Sequence, residues 1–212
     1  MALEKNNIAL FFLLDGYADW ETGYVSAKLH NLGYMVRTIS LTLSAVRSQG
    51  NFLTSIDDSL DTFQDYQNLA VLLLIGGTGW GDQHLIKGYG RERYDAHGSK
   101  RIKACIDHSI SIPSVVVAAI CDGATFMADN GYLDTIPHTG NSLEHLREKA
   151  PGYKGKEFFQ EKQAVSSHSI ITANGTAPLE FSREILISLH ALGNKENIHE
   201  WYLSNKKGSF PL

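Results

Sequence analysis

Residues Val117–Asp134 read VAAICDGATFMADNGYLD and place a cysteine, Cys121, between a buried strand and a helix. The apolar run before Cys121 is typical of a strand covered on both faces, and a helical pattern begins directly after it. Ala119 and Gly123 flank Cys121 two positions to either side, where a sharp strand-to-helix turn at a nucleophile needs small residues. The segment therefore predicts a cysteine nucleophile elbow.

Two interpretations of Cys121 follow from the residues alone. The free N–H groups of a helix that begins at Asp122 would point at the sulfur and favour the thiolate. Unreactive cysteines, however, are among the most buried residue types. Periodicity leaves both roles of Cys121 open, whereas Cys105 shares a helix face with Ile102 and Ile106 and is predicted to be a core residue.

Three continuous apolar runs predict strands buried on both faces, the type found in parallel sheets covered by helices. They are Ile8–Leu14, Leu69–Ile75 and Ser114–Ile120. Helical patterns lie between and after these runs, over Trp20–Leu32, Ser99–Ser109 and Ala177–Leu192. Before the second run, the sequence also predicts a strand over Tyr34–Ser40 and a hairpin over Val46–Ile56. We expect a three-layer, doubly wound α/β sandwich with a mostly parallel, flavodoxin-like sheet.

Ligands of such folds bind at the carboxyl ends of the strands, where Asp15, Gly76 and Cys121 are expected. No linker interrupts the 212 residues, so the pattern predicts one domain over residues 1–212. The C-terminal tail is expected to pack Trp201 and Tyr202 on the body or on a partner subunit.

Composition and charge exclude several classes of partner. With a net charge of −4 and no basic run, the chain has no electrostatic reason to bind nucleic acid or anionic membranes. The apolar run Ile8–Leu14 is far shorter than the roughly 20 residues that span a bilayer. Without a secretory pattern and with only two cysteines, the sequence predicts a cytoplasmic protein with reduced thiols.

Four segments together resemble the ThiJ/PfpI family, a branch of the class I glutamine amidotransferase-like fold. Ala118–Asp134 is similar to the family's cysteine elbow, and Leu72–Trp80 (LLLIGGTGW) to its Gly-Gly loop. Leu13–Leu29 (LLDGYADWETGYVSAKL) is similar to its first strand, loop and helix, and Ser167–Leu186 to its final strand, turn and helix. The resemblance covers nearly the whole chain and implies the same fold.

The resemblance also implies site residues. It places an acid facing the thiol at Glu21, which would share a proton with Cys121 because two adjacent anions are unfavourable; without the resemblance, Glu21 reads as a solvated carboxylate in the first turn of a helix. A histidine near the cysteine is expected at His138, where it would act as a base; the alternative is a polar loop histidine. His168 is a weaker substitute beside a turn.

The Gly-Gly loop is the expected second wall of the site. Gly76, Gly77 and Thr78, together with Asp122, are predicted to bind substrate, with the backbone amides of Gly77 and Asp122 holding an oxyanion. No metal-ligand motif and no phosphate-binding loop occurs, so no metal and no cofactor are predicted.

Two departures from the family pattern limit the expected activity. Asp122 stands where peptidase-like members carry a histidine, and the segment ANGTAPLEF lacks the histidine of an amidotransferase His-x-Glu pair, which argues against both activities. The expected function is therefore a cysteine-dependent hydrolase or lyase acting on a small carbonyl or amide compound, glyoxalase- or deglycase-like or amidohydrolase-like. The alternative is a non-enzymatic oxidative-stress sensor or protective protein that uses an oxidisable Cys121. The resemblance further implies a homodimer.

Overall fold

A seven-stranded sheet forms the centre of the structure, a computed structural model that describes residues 6–81 and 96–208. Its strands are β1 (Ile8–Phe12), β2 (Met35–Ser40), β5 (Asp58–Ser59), β6 (Leu69–Leu74), β7 (Val116–Ile120), β8 (Ala164–Ser167) and β9 (Ile170–Ala173). They lie in the order β5-β2-β1-β6-β7-β9-β8, and all neighbours are parallel except β8 and β9. A separate hairpin joins β3 (Val46–Arg47) to β4 (Leu53–Thr54).

The three continuous apolar runs form the middle of this sheet as β1, β6 and β7, and every residue of these strands is buried. Without the edge strands β5 and β8, the order of the parallel strands is that of a flavodoxin-like sheet. The prediction of a doubly wound α/β fold with a mostly parallel sheet is confirmed.

Helices cover both faces of the sheet. They are α1 (Gly23–Asn31), α2 (Ala96–Ser111), α3 (Asp122–Asp129), α4 (Leu143–Lys149), α5 (Pro178–Ser188) and α6 (Lys195–Lys207). Because successive strand residues point to opposite faces, alternate residues of β1 enter different cores. Leu10 packs in the core of α2, α3 and α4, whereas Phe11 packs in the core of α1, α5 and α6.

Two segments differ from the sequence expectation. The helix predicted over Trp20–Leu32 is divided into a 3₁₀ turn, Asp19–Glu21, and α1, which begins at Gly23. The C-terminal tail forms helix α6, whose N-terminus is capped by Asn194: its side chain accepts a hydrogen bond of 2.8 Å from the Asn197 N–H. None of the helices in the described ranges is long and apolar enough to cross a membrane.

The order of the strands creates a crevice at their carboxyl ends. From β1 the chain first builds one side of the sheet, through β2 and β5, and then the other, beginning with β6. Ligands bind at such a switch point in open α/β sheets. The residues that follow β1, β6, β7 and β9 meet there, and they include Glu21, Gly76, Cys121 and Gly175.

Candidate active site

Cys121 connects β7 to α3 in an unusual backbone conformation, with φ +57° and ψ −126°. A positive φ is unfavourable for a residue with a side chain and persists only where the surroundings fix it. Here the Cys121 N–H donates to the Ala173 carbonyl at 3.0 Å, and its carbonyl accepts the Ala124 N–H at 3.0 Å. A Cβ atom at Gly123 would lie 3.0 Å from the Leu74 carbonyl carbon, which explains the small residue after the turn.

Glu21 lies behind the sulfur with 0% of its surface exposed. Its Oε2 accepts a hydrogen bond of 2.7 Å from the Gly76 N–H. Its Oε1 has no conventional hydrogen-bond partner among the described residues, and the nearby thiol of Cys121 is the side chain that interacts with this carboxyl. Gly76 makes this approach possible, since a Cβ there would lie 2.7 Å from Oε2 and 3.0 Å from Sγ.

The acid and the thiol are a coupled pair. Burial raises the pKa of Glu21 from 4.5 to about 7, and the Asp122 charge adds to the rise, while the Gly76 N–H and the Cys121 thiol oppose it. Burial, Glu21 and Asp122 raise the pKa of Cys121 to about 12, against the opposing hydrogen bonds of Asn141 and of the Asp122 amide. The expectation that helix amides leave the thiol with a low pKa therefore omitted two stronger effects, burial and the neighbouring acids. As the pH rises through about 7, the pair passes from two protons to one, and the remaining proton then lies between two acceptors.

Asn141 lies on the solvent side of the sulfur. Its Nδ2 donates to Cys121 Sγ at 3.3 Å, and its Oδ1 accepts the Gly175 N–H at 3.0 Å. Gly175 also faces the sulfur, because a Cβ there would lie 2.9 Å from Sγ. The Gly175 carbonyl accepts the indole N–H of Trp20 at 3.1 Å, and Trp20 is 51% exposed. Trp20 therefore stands at the rim of the crevice.

The main-chain N–H and the carboxylate of Asp122 have different partners. Its main-chain N–H interacts with Cys121 Sγ. Its carboxylate accepts from Thr125 Oγ1 at 3.2 Å and pairs with His145 Nε2 at 2.8 Å. His145 thus reaches the site through Asp122, and the sequence analysis had not assigned it a role.

The Gly-Gly loop fits the predicted oxyanion site only in part. The Gly76 N–H is used by Glu21, and the Thr78 N–H donates to the Gly16 carbonyl at 3.0 Å, so neither is available to a substrate. The Gly77 N–H has no acceptor within the described ranges. Gly77 has φ +123°, and a Cβ there would lie 2.7 Å from Tyr17 Cα, so this position requires glycine.

His138 does not contact the sulfur, contrary to the expectation for a base. Its ring is fully buried, with Nδ1 2.8 Å from the Ile136 carbonyl and Nε2 2.7 Å from the Tyr153 hydroxyl. Burial lowers its pKa, and the Ile136 carbonyl opposes this shift. With both ring nitrogens engaged in the core, the contacts of His138 give it a structural role. The prediction for Cys105 is confirmed, since it is buried in the core with 5% of its surface exposed.

Sequence reasoning missed Asn141, Gly175 and Trp20, although the last two lie in segments that carried the family resemblance. Asn141 directly precedes Ser142, whose hydroxyl caps α4 by accepting the His145 N–H at 3.0 Å. That capping signal was readable in the sequence, but the contact with Cys121 was not. In the described ranges, no group of three His, Cys, Asp or Glu side chains is placed to bind a metal ion.

The sequence and the structure are both similar to known proteins. The sequence model of the DJ-1/PfpI family matches residues 7–89 and 90–188. The Bacillus subtilis protein named "Uncharacterized protease YdeA" is 32% identical over 203 residues, 95% of this chain and 92% of that protein.

Two solved structures are also similar. A ThiJ/PfpI family protein from Bacillus anthracis is 31% identical with a TM-score of 0.80, and the match covers 95% of this chain and 91% of that one. The DJ-1 superfamily protein Atu0886 from Agrobacterium tumefaciens is 26% identical with a TM-score of 0.76, over 95% of this chain and 99% of that one.

Proposed function

Because this chain belongs to the DJ-1/PfpI family, we propose that it is a cysteine-dependent hydrolase or lyase that acts on a small carbonyl or amide compound. In this proposal Cys121 is the nucleophile of a strand-to-helix elbow. One observation carries it: the Cys121 thiol lies beside the fully buried Glu21 carboxyl at the crevice where parallel-sheet folds bind ligands. A cysteine that served only packing would have no need of a buried acid beside it.

The shared proton supplies the chemistry of the first step. When the proton is on Glu21, the thiolate of Cys121 attacks the carbonyl carbon, the S–C bond forms, and the π electrons move to oxygen. The proton of Glu21 then passes to that oxygen, which leaves Glu21 ionised and a neutral adduct on the sulfur. The N–H groups of Gly77 and Asp122 support the developing negative charge in this proposal.

The fate of the adduct depends on the substrate. With a 2-oxoaldehyde, proton transfer between the two carbons gives a thioester, which water hydrolyses to a 2-hydroxy acid. With an amide, the hydroxyl of the adduct gives up its proton to nitrogen as the C–N bond breaks, the amine leaves, and water hydrolyses the remaining thioester to the acid. The name of the relative YdeA refers to proteolysis, but this chain carries Asp122 after the cysteine, and the Asp122 carboxylate is engaged with His145. We therefore propose a small substrate rather than a protein.

A comparison of two cysteine variants tests the proposal. Purified protein is incubated with methylglyoxal, small amides and a denatured protein, and product formation is followed for the wild type, Cys121→Ser and Cys105→Ser. We expect turnover of a small substrate that falls at least about 10³-fold in Cys121→Ser, as nucleophile removal does in other enzymes. Cys105→Ser is the matched control, because it changes a buried thiol outside the crevice. Equal turnover in the wild type and Cys121→Ser would refute the proposal.

The buried carboxyl also favours a second candidate, a non-enzymatic oxidation sensor. Oε1 of Glu21 has no conventional partner among the described residues, and a proton on it could be donated to an oxygen of a sulfinic acid formed at Cys121. In the same set of proteins, this candidate predicts no turnover of any substrate and peroxide oxidation at Cys121 before Cys105. Modification of Cys105 first would exclude it.

A further inference from the structure

We propose that Asn141 is a positioning residue for Cys121: its carboxamide N–H binds the sulfur, favours the thiolate and fixes the direction of the nucleophile. The assignment deepens the proposed function and rests on it, since it takes Cys121 to be the reactive group. It concerns a loop residue with a contact on either side of its amide, to Sγ at 3.3 Å and to the Gly175 N–H at 3.0 Å.

The contacts of Asn141 determine which end of its amide faces the sulfur. The Gly175 N–H can only donate, so it requires the amide oxygen, Oδ1, on its side. The amide nitrogen, which can only donate, is then directed at Sγ. The reverse orientation would place two donors against each other at Gly175. The neighbouring backbone thus makes Asn141 a hydrogen-bond donor to the sulfur.

The two acidic side chains next to the sulfur disfavour its ionisation. Glu21 lies behind it and Asp122 beside it, and both raise the pKa of the Cys121 thiol. His145 lies beyond Asp122 and pairs with its carboxylate. Among the described residues, the donors that favour the thiolate are the Asn141 side chain and the main-chain N–H of Asp122. Of these two donors, only the Asn141 amide belongs to a side chain, so a substitution can remove it.

Asn141 also joins the sulfur to the turn that contains Gly175. That turn approaches Sγ because Gly175 has no Cβ atom. The Gly175 carbonyl accepts a hydrogen bond from the indole N–H of Trp20. The sulfur, the Asn141 amide, the Gly175 peptide and the Trp20 indole form one hydrogen-bonded chain from the crevice to its rim. Asn141 is the link of this chain that touches the nucleophile.

Alkylation of Cys121 by iodoacetamide tests the assignment without any need for a substrate. Rates are measured as a function of pH by mass spectrometry of the Cys121 peptide, in the wild type and in Asn141→Asp. Aspartate can still accept the Gly175 N–H, so a role in holding the turn is retained, but it cannot donate to sulfur when ionised. We expect the rate to fall about tenfold or more at each pH from about 7 to about 9, because the thiolate fraction is smaller.

Asn174→Asp is the matched control for the added charge. Asn174 precedes Gly175, and its Oδ1 accepts from the Thr176 N–H and hydroxyl, which an aspartate would also do. An unchanged profile in Asn141→Asp, or an equal change in Asn174→Asp, would overturn the assignment. If Asn141→Asp does not fold, Asn141→Ala must show the same fall in alkylation rate, or the assignment fails. Because alkylation needs no turnover, a positive result stands even if no substrate is converted.

Discussion

Replacing Glu21 with glutamine tests whether a neutral acid is buried beside the sulfur. Glutamine has nearly the same shape, and its amide oxygen can accept the Gly76 N–H that Oε2 now accepts at 2.7 Å. Its amide nitrogen takes the place of Oε1 and cannot ionise. The substitution therefore removes the titration of the group while the packing is kept.

The expected magnitude follows from the shifted pKa. Because the folded chain holds the proton of Glu21 up to about pH 7, against 4.5 for an ordinary glutamate, the unfolded state releases that proton first. The stability from the neutral carboxyl is present below pH 4.5 and is lost as the pH rises through 7. At 1.36 kcal/mol per pKa unit, the wild type loses about 3 kcal/mol that Glu21→Gln retains.

Thermal or urea unfolding of the two proteins from about pH 4 to about pH 8 measures this difference. The free energy of unfolding of Glu21→Gln relative to the wild type should rise across this range by about 3 kcal/mol, roughly 6–12 °C in Tm for a domain of this size. Glu180→Gln is a control in which the stability difference should change in the opposite direction. Burial would raise the pKa of Glu180, but hydrogen bonds from Lys206 and Tyr202 lower it, and the net pKa lies below the ordinary value. This variant should therefore lose stability relative to the wild type as the pH rises. A constant difference between Glu21→Gln and the wild type would refute a buried neutral acid.

Two further substitutions probe the surroundings of the site. Gly123→Ala should lower the free energy of unfolding by about 1–3 kcal/mol in urea denaturation, because the added Cβ meets the backbone of β6 at Leu74. Gly23→Ala is the control and should not lower it, because Gly23 has open space around it. Equal effects of the two substitutions would contradict the close packing at Gly123. His138→Gln should leave alkylation of Cys121 unchanged. This variant should also lose less stability than the wild type as the pH falls below 6.5, because burial lowers the pKa of His138 and the folded state resists its protonation. A strong loss of Cys121 alkylation in this variant would restore His138 as a base.

The centre of the fold was predictable from the sequence because strands buried on both faces are continuous runs of apolar residues. β1, β6 and β7 are continuous apolar runs, and in the part of the chain that the structure describes no other element is buried at every residue over such a length. The two-residue strand β5 has no such signal, since Asp58 and Ser59 are polar and pair only with the end of β2. Helix α6 was not predicted because few of its residues are buried.

The residues alone predicted Cys121 and Gly76 at the carboxyl ends of the strands, whereas Glu21 was predicted as a site residue only from the resemblance. Nothing in the periodicity brings Glu21 to Cys121, since they meet through the order of the strands. The choice of His138 over Asn141 shows the limit more closely, because both residues lie in one short loop. His138 forms a bridge with Phe159 that turns its ring into the core, and three residues later Asn141 faces the sulfur. Pairing with a distant segment decides this, and local sequence does not encode it.

Gly76 and Gly175 approach the sulfur from two different loops, so on these two sides it is main chain that limits the space around the sulfur. The crevice cannot be widened on these two sides by a smaller residue, since glycine has no side chain to remove. Any other residue at either position can only reduce the space beside the sulfur. In the proposed enzyme, adaptation to bulkier compounds must therefore act at the entrance, where the exposed Trp20 still offers a side chain to shorten.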